Sequence, residues 1–178
     1  MREESDKRTG KSNARKDPKR DGGQKDMKRK LGFKSWKDFF KTFGISLEGK
    51  RDISLGKGKE ARCAVSPDMR RMVSSISKEP EYAGSLLGRE SKGRFKPSLW
   101  SIEKASANSN RKVKLDKRTA WLFLCGRDIF MSSLKGDEPE KGYVFPMNEH
   151  DENLGIGYFD GKMLHNLADK GDFLRREG

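Results

Sequence analysis

Cysteine and histidine are scarce: the 178 residues hold two of each. Two cysteines, Cys63 and Cys125, cannot build a disulfide-dense scaffold or supply a four-ligand zinc site. A reducing, cytoplasmic compartment is expected. Apolar residues are also short, at 32% against about 45–50% in average globular chains. That is too little to bury every residue in one packed domain. No run approaches the roughly 18 apolar residues that span a bilayer, so no membrane is expected as partner. The opening Met1-Arg2-Glu3-Glu4-Ser5 leads into charge without an apolar core segment, so no secretory leader is expected.

Charge is abundant instead. Charged residues make up 38%, and 40 Lys and Arg face 27 Asp and Glu, giving a net +13. A soluble protein with a polyanionic partner is the class that remains. The excess is uneven. Residues 1–34 hold 13 Lys and Arg against 6 Asp and Glu, with almost nothing apolar to bury. Such a stretch cannot offset its ordering entropy and is expected to be a disordered basic tail. It either seeks phosphate or only keeps the chain soluble.

Order is expected from Ser35. Trp36, Phe39, Phe40 and Phe43 recur at i, i+3, i+4, i+7, one apolar helical stripe between the N-cap Ser35 and the stop Gly44. The stripe is either core or a surface for a partner. Arg51–Leu55 and Ala61–Val65 read as two strands of a hairpin. Ser66-Pro67 opens a helix carrying Met69, Met72, Val73 and Ile76. Residues 83–88 read as a short strand, and Leu99–Ala105 as a helix. The loop 107–110 is expected to divide two domains.

Beyond it, Lys112–Leu115 reads as a strand and Asp116 as the N-cap of a short apolar helix over 117–125. Ile129–Met131, Tyr143–Phe145 and Leu154–Phe159 read as strands, with 146–153 as a turn. Met163, Leu164 and Leu167 fit helix and strand alike. The whole is α+β.

Motifs for catalysis are missing. Gly44-Ile-Ser-Leu-Glu-Gly-Lys50 imitates a P-loop, but Arg51 stands where Mg²⁺ needs Ser or Thr, and an aromatic helix precedes it. Gly155-Ile-Gly157 imitates a dinucleotide fingerprint, but Gly161 comes one place late. It reads as close backbone approach in a sheet. His150 sits in the charged turn Asn148–Glu152, a solvated turn before it is a metal site. His165 is alone, and no Ser occupies a nucleophile elbow. No enzyme, cofactor or metal is expected.

The basic residues of the C-terminal half are arranged differently. Lys117 and Arg118 open the short helix, and Arg127 follows Gly126 at its end. Lys162, Lys170, Arg175 and Arg176 cluster toward the C-terminus. If the strands close into a barrel, first and last strands pair and both groups share one phosphate-binding face. The alternative is ordinary solvated charge.

These segments carry a resemblance. Trp121-Leu-Phe-Leu-Cys-Gly-Arg-Asp-Ile-Phe130, Leu154-Gly-Ile-Gly157 and Ala168-Asp-Lys-Gly-Asp-Phe-Leu-Arg-Arg176 resemble the PUA domain, a small RNA-binding pseudo-barrel. Residues 35–110, with Val65-Ser-Pro-Asp-Met69 and the stretch from Leu87-Gly88 to Arg94-Phe95, resemble the pre-PUA α/β domain of an archaeal and eukaryotic ribosome-biogenesis family. The C-terminal RNA-binding portion of some rRNA cytosine-C5 methyltransferases is similar too. The resemblance implies a strand over 163–167, a pre-PUA domain over 35–110 and a PUA domain over 111–178, with the basic tail 1–34 outside it. It implies RNA binding where the PUA helix ends, at Gly126 and Arg127 with Lys170, Arg175 and Arg176 alongside. It further implies a non-enzymatic role in large-subunit assembly or pre-rRNA processing, with rRNA as partner. A module serving a tRNA or rRNA modification enzyme, and a protein-interaction scaffold, are the alternatives; ribosome-assembly or RNA-modification proteins would be the protein partners. The acidic stretch 135–153 would repel RNA and is expected to face away from it.

Overall fold

The computed structural model describes residues 32–134 and 138–174. The expectations for the tail over 1–31, and for Arg175 and Arg176, lie outside the described residues.

The N-terminal half is a four-stranded antiparallel meander. Its strands are β1 (Arg51–Leu55), β2 (Ala61–Val65), β3 (Ser85–Ser91) and β4 (Arg94–Pro97). Helix α1 (Trp36–Thr42) is capped by the Ser35 side chain, which accepts from the Asp38 amide. Helix α2 (Pro67–Ser75) is capped by Ser66, with Pro67 at its first position. Helix α3 (Leu99–Ala107) is tied to β3 by two serines. The Ser98 hydroxyl donates to the Leu86 carbonyl at 2.5 Å and the buried Ser101 hydroxyl to the Leu87 carbonyl at 2.7 Å.

The C-terminal half is a second sheet of five strands, in the order β5 (Lys112–Lys114), β7 (Gly142–Met147), β8 (Gly155–Phe159), β9 (Met163–Asp169), β6 (Ile129–Phe130). Strand β5 runs parallel to β7 and the other pairs are antiparallel. The sheet curls into a half-barrel. Among the described residues, its outer strands β5 and β6 do not pair, so the closure that would bring first and last strands together does not occur. Helix α4 (Lys117–Leu124) starts beside β5 and ends beside β6, and α5 (Lys170–Leu174) continues β9. The residues 163–167 are strand, as the resemblance implies.

Three local expectations are corrected. Phe33 belongs to no tail: it is buried, and its carbonyl accepts the Phe95 amide at 2.9 Å. A single aromatic ring with a sheet edge to pair against suffices to anchor a polar segment. Pro146 lies inside β7 and not in a turn. The strand tolerates it because its carbonyl still accepts the Leu154 amide at 2.8 Å. The strand begun at 83 starts at Ser85 and runs on to Ser91, because its partner β4 extends the ladder.

The two halves share one buried apolar cluster, while a second lies within the C-terminal half around Val113, Phe123, Ile129 and Phe159 and a small third lies at Leu55, Ala61 and Cys63. In the shared cluster, Phe39, Phe40, Phe95 and Ile102 from the first half are continuous with Phe145, Met147, Ile156 and Ala168 from the second. Helix α1 joins them through aromatic contacts. Phe33 stacks on Tyr143 with centroids 4.8 Å apart, and Phe43 meets Phe145 edge-on at 5.2 Å. This settles the stripe of α1. Phe39 and Phe40 are buried, with Trp36 and Phe43 half-buried against the same cluster, so it is core and not a partner surface.

Close approach explains Gly155. A Cβ there would stand 2.1 Å from the Ala168 carbonyl oxygen, and the residue has φ +150°. Gly155→Ala is therefore expected to destabilise the fold by more than about 1 kcal/mol. Gly93→Ala, at φ +69° with nothing within 4 Å, should cost less. Urea unfolding of both variants checks the order. Phe33→Ala is expected to cost about 3–5 kcal/mol by cavity formation; a value near zero would return Phe33 to the tail.

Candidate nucleic-acid interface

Helix α4 and the turn after it form the site that the sequence singles out. The Asp116 carboxylate accepts the Thr119 amide at 2.8 Å and starts the helix. The helix ends in a Schellman motif. The Gly126 amide donates to the Phe123 carbonyl at 2.9 Å, and the Arg127 amide to the Leu122 carbonyl at 3.2 Å. The motif needs a left-handed residue, and Gly126 supplies it at φ +78°. Arg127 is thereby the first side chain past the helix, and it is exposed.

Strand β9 fixes that turn from below. The Asn166 side-chain amide donates to the Phe123 carbonyl at 2.6 Å. The Asp128 carboxylate accepts the Asn166 backbone amide at 2.9 Å. Its other oxygen lies 3.2 Å from His165 Nδ1, while His165 Nε2 lies 2.9 Å from Asp160. Ionised carboxylates only accept, so a neutral ring serves one of the two and the doubly protonated ring serves both. The hydrogen bond from His165, helped by the Lys162 and Met163 amides, holds the Asp160 carboxyl down to about 2. His165 is thus a buried strut between two loops, with neither a Cys nor a Ser partner among the described residues. Among the described residues, no group of His, Cys, Asp and Glu could hold a metal ion.

The expected basic residues lie along α4, at its end and beside β6, except Lys170. Lys117 and Arg118 lie at the β5 end of α4. Arg127 lies at its β6 end. Lys162 is close to β6, because its carbonyl accepts the Met131 amide at 2.9 Å. Lys170 is drawn to the other half of the molecule, 2.6 Å from Glu103 on α3. The turn 148–153, with Asp151 and Glu152, lines the same cleft as Glu103 and Lys170. Lys114 is paired there too, 2.8 Å from Asp151. The exposed side chains of Lys117, Arg118, Arg127 and Lys162 have no carboxylate partner among the described residues.

Residues outside the expected set join the site. A cleft of about 730 Å³ opens between the β3–β4 hairpin and the end of α4, bordered by Arg89, Arg94, Gly126 and Asn166. Arg89 stands opposite Lys96, and Arg94 opposite Ser91, so all four project from one face of the hairpin. Lys96 is bound 2.6 Å from Asp172 on α5, clamping the halves together. Asp128 and Asn166 carried no sequence signal, because their role is set by a strand 37 or more residues away.

Residues 111–178 match the family model described as the UPF0113 PUA domain. This part of the chain is a PUA-like domain. Such domains are generally RNA-binding. A UPF0113 protein from Archaeoglobus fulgidus is 34% identical over 112 residues, which cover 55% of this chain. The chain spans 64% of the length of that curated relative. A crystal structure of a hypothetical protein from Pyrococcus horikoshii is similar at 16% identity, over 76% of this chain and 93% of that one, with a TM-score of 0.39. No helix among the described residues is long and apolar enough to cross a membrane.

Two outcomes are expected for the turn. Asn166→Ala should remove one of the two hydrogen bonds to the Phe123 carbonyl, which keeps the Gly126 amide, and cost about 0.5–1.5 kcal/mol in urea unfolding. For Asp160, the folded carboxyl lies below its ordinary value. Its contribution is full above pH about 4 and lost as pH falls through about 2. The stability gap between the parent and Asp160→Asn should therefore be widest near neutrality and close toward pH 2, as read from urea melts across that range.

Proposed function

We propose that this protein is a non-enzymatic RNA-binding factor that acts on ribosomal RNA during ribosome assembly or precursor processing. The observation that carries the RNA part is the PUA-like domain over 111–178, with four exposed cations along and beyond α4 that have no carboxylate partner among the described residues. Unpaired Lys and Arg on a rigid element can exchange condensed counterions for phosphate contacts without first breaking an ion pair. Arg127, held by the Schellman turn, offers a planar fork to a phosphate or base edge. Gly126 leaves room for a sugar-phosphate backbone to approach. The ribosomal target rests on the resemblance of residues 35–110 to a pre-PUA domain and on the net charge of +13. The cleft that pairs Lys170 with Glu103 lies on the acidic side, which faces away from RNA in this reading.

Crosslinking in cells, with sequencing of the bound RNA, tests the target. A sharp peak on precursor rRNA is expected. A peak on tRNA would turn the reading toward a modification accessory, and no signal above background would overturn it. In vitro, replacing Lys117, Arg118, Arg127 and Lys162 by Ala should lower the slope of log affinity against log salt by about 3, at ~0.7 per phosphate contact on a single strand. An unchanged slope would place the phosphate contacts elsewhere.

A further inference from the structure

The α4 surface also carries aromatic rings in the wrong place for a core. Trp121 is 67% exposed, although it lies in the most apolar run of the chain. Phe130 is 63% exposed, on the outer face of β6, because its neighbour Ile129 takes the inward position in the alternation. Exposing rings of this size forgoes about 1.5–3 kcal/mol of burial each, and solvated positions are normally filled by polar residues.

Their neighbours say what could cover them. Trp121 is three residues after Arg118 and four after Lys117, so the three share one face of α4. Arg127 follows at the end of the helix. Phe130 is three residues further, and the Lys162 carbonyl accepts the amide of the adjoining Met131. The helix is eight residues long, about 12 Å. The chain therefore alternates cations and rings across this edge: Lys117 and Arg118, Trp121, Arg127, Phe130, Lys162. The carboxylates beside this run have other contacts: Asp116 caps α4, and Asp128 and Asp160 both lie within hydrogen-bond distance of His165. An apolar protein segment would find this surface too charged, and a carboxylate-rich one would have no use for the rings. A single-stranded nucleic acid has both features, phosphates spaced along a strand and base faces that stack on aromatics.

We propose that Trp121 and Phe130 are base-stacking platforms, and that the α4–β6 edge therefore takes unpaired nucleotides of RNA in preference to a duplex. The inference rests on the RNA-binding reading above and adds to it which residues touch bases and what form of RNA they accept. Bases within a duplex are stacked on one another and present no face, so a structured target must offer a loop, bulge or end here.

The test uses the full chain, a mixed-sequence single-stranded RNA oligonucleotide, and the same sequence annealed to its complement. Trp121→Ala should weaken single-strand binding about tenfold or more, the loss expected for one stacked base. Trp121→Phe should keep most of the affinity, while Trp121→Leu should bind as weakly as the alanine variant. The salt slope should be the same in all three, because stacking releases no counterions. Phe130→Ala should show the same pattern. Circular dichroism melts confirm that the variants fold, as expected for side chains this exposed. Full affinity in Trp121→Leu, or equal affinity for strand and duplex in the parent, would overturn the proposal. If the parent binds RNA and the four-cation variant loses it while Trp121→Ala does not, the RNA reading stands and stacking falls. If the parent binds no RNA, both fall. Trp121→Ala abolishing capture of a protein partner while RNA binding is intact would make the rings a protein-docking surface and overturn the inference.

Discussion

The aromatic wedge of α1 is the constraint on which the rest depends. With only 32% apolar residues, the chain has little apolar material for joining its two halves in addition to filling the separate C-terminal cluster. It concentrates rings instead. Phe33, Phe39 and Phe43 pack against one another and reach Tyr143 and Phe145 on the second sheet. The two sheets therefore bury their inner faces on a common cluster, and the Lys96–Asp172 ion pair closes the seam at the surface. Aromatic residues serve this purpose because each removes a large area from water while ordering few rotatable bonds. Everything at the end of α4 is held relative to the β3–β4 hairpin by that shared core.

Charge is sorted by the same architecture. Several cations near the seam and the acidic turn are matched: Lys96 with Asp172, Lys170 with Glu103 and Lys114 with Asp151. Exposed pairs of this kind add little stability, typically below about 1 kcal/mol. Their larger effect is to remove those lysines from the pool available to a polyanion. Exposed cations with no carboxylate partner among the described residues lie along α4, at Lys162 and at Arg89 and Arg94 beside the cleft, and also elsewhere, as at Lys41, Arg70 and Lys92. Pairing alone therefore does not locate a binding face.

Much of the local structure was legible because it depends on near neighbours. Ser35, Ser66, Ser98 and Asp116 all cap helices, and each needs only a short side chain three residues before a donor amide. The Schellman end of α4 follows from Gly126 alone. The grouping of Lys170 with the other basic residues was misread, because the assumed barrel closure sets two distant strands side by side and the sheet does not close. Trp121 was misread in its setting: hydropathy places it with Leu122 and Phe123, while the helix turns it outward. Asp128, Asp160 and His165 gave no motif because residues 37 and 5 apart meet only after β6 and β9 pair.

By itself the sequence determined most of the helices and strands (but not the strand Arg94–Pro97 or the helix Lys170–Leu174), the α+β class, the excess of positive charge and the position of the exposed turn at Gly126-Arg127. These rest on periodicity, caps and composition, which act over a few residues. Only the tertiary structure decided that α1 is core, that Phe33 belongs to it, that Lys170 is neutralised by Glu103, and that Trp121 and Phe130 stand in water beside unpaired cations. Each of those outcomes depends on which surfaces the two sheets bury against each other, and that competition for a limited apolar supply is settled only when the whole chain packs.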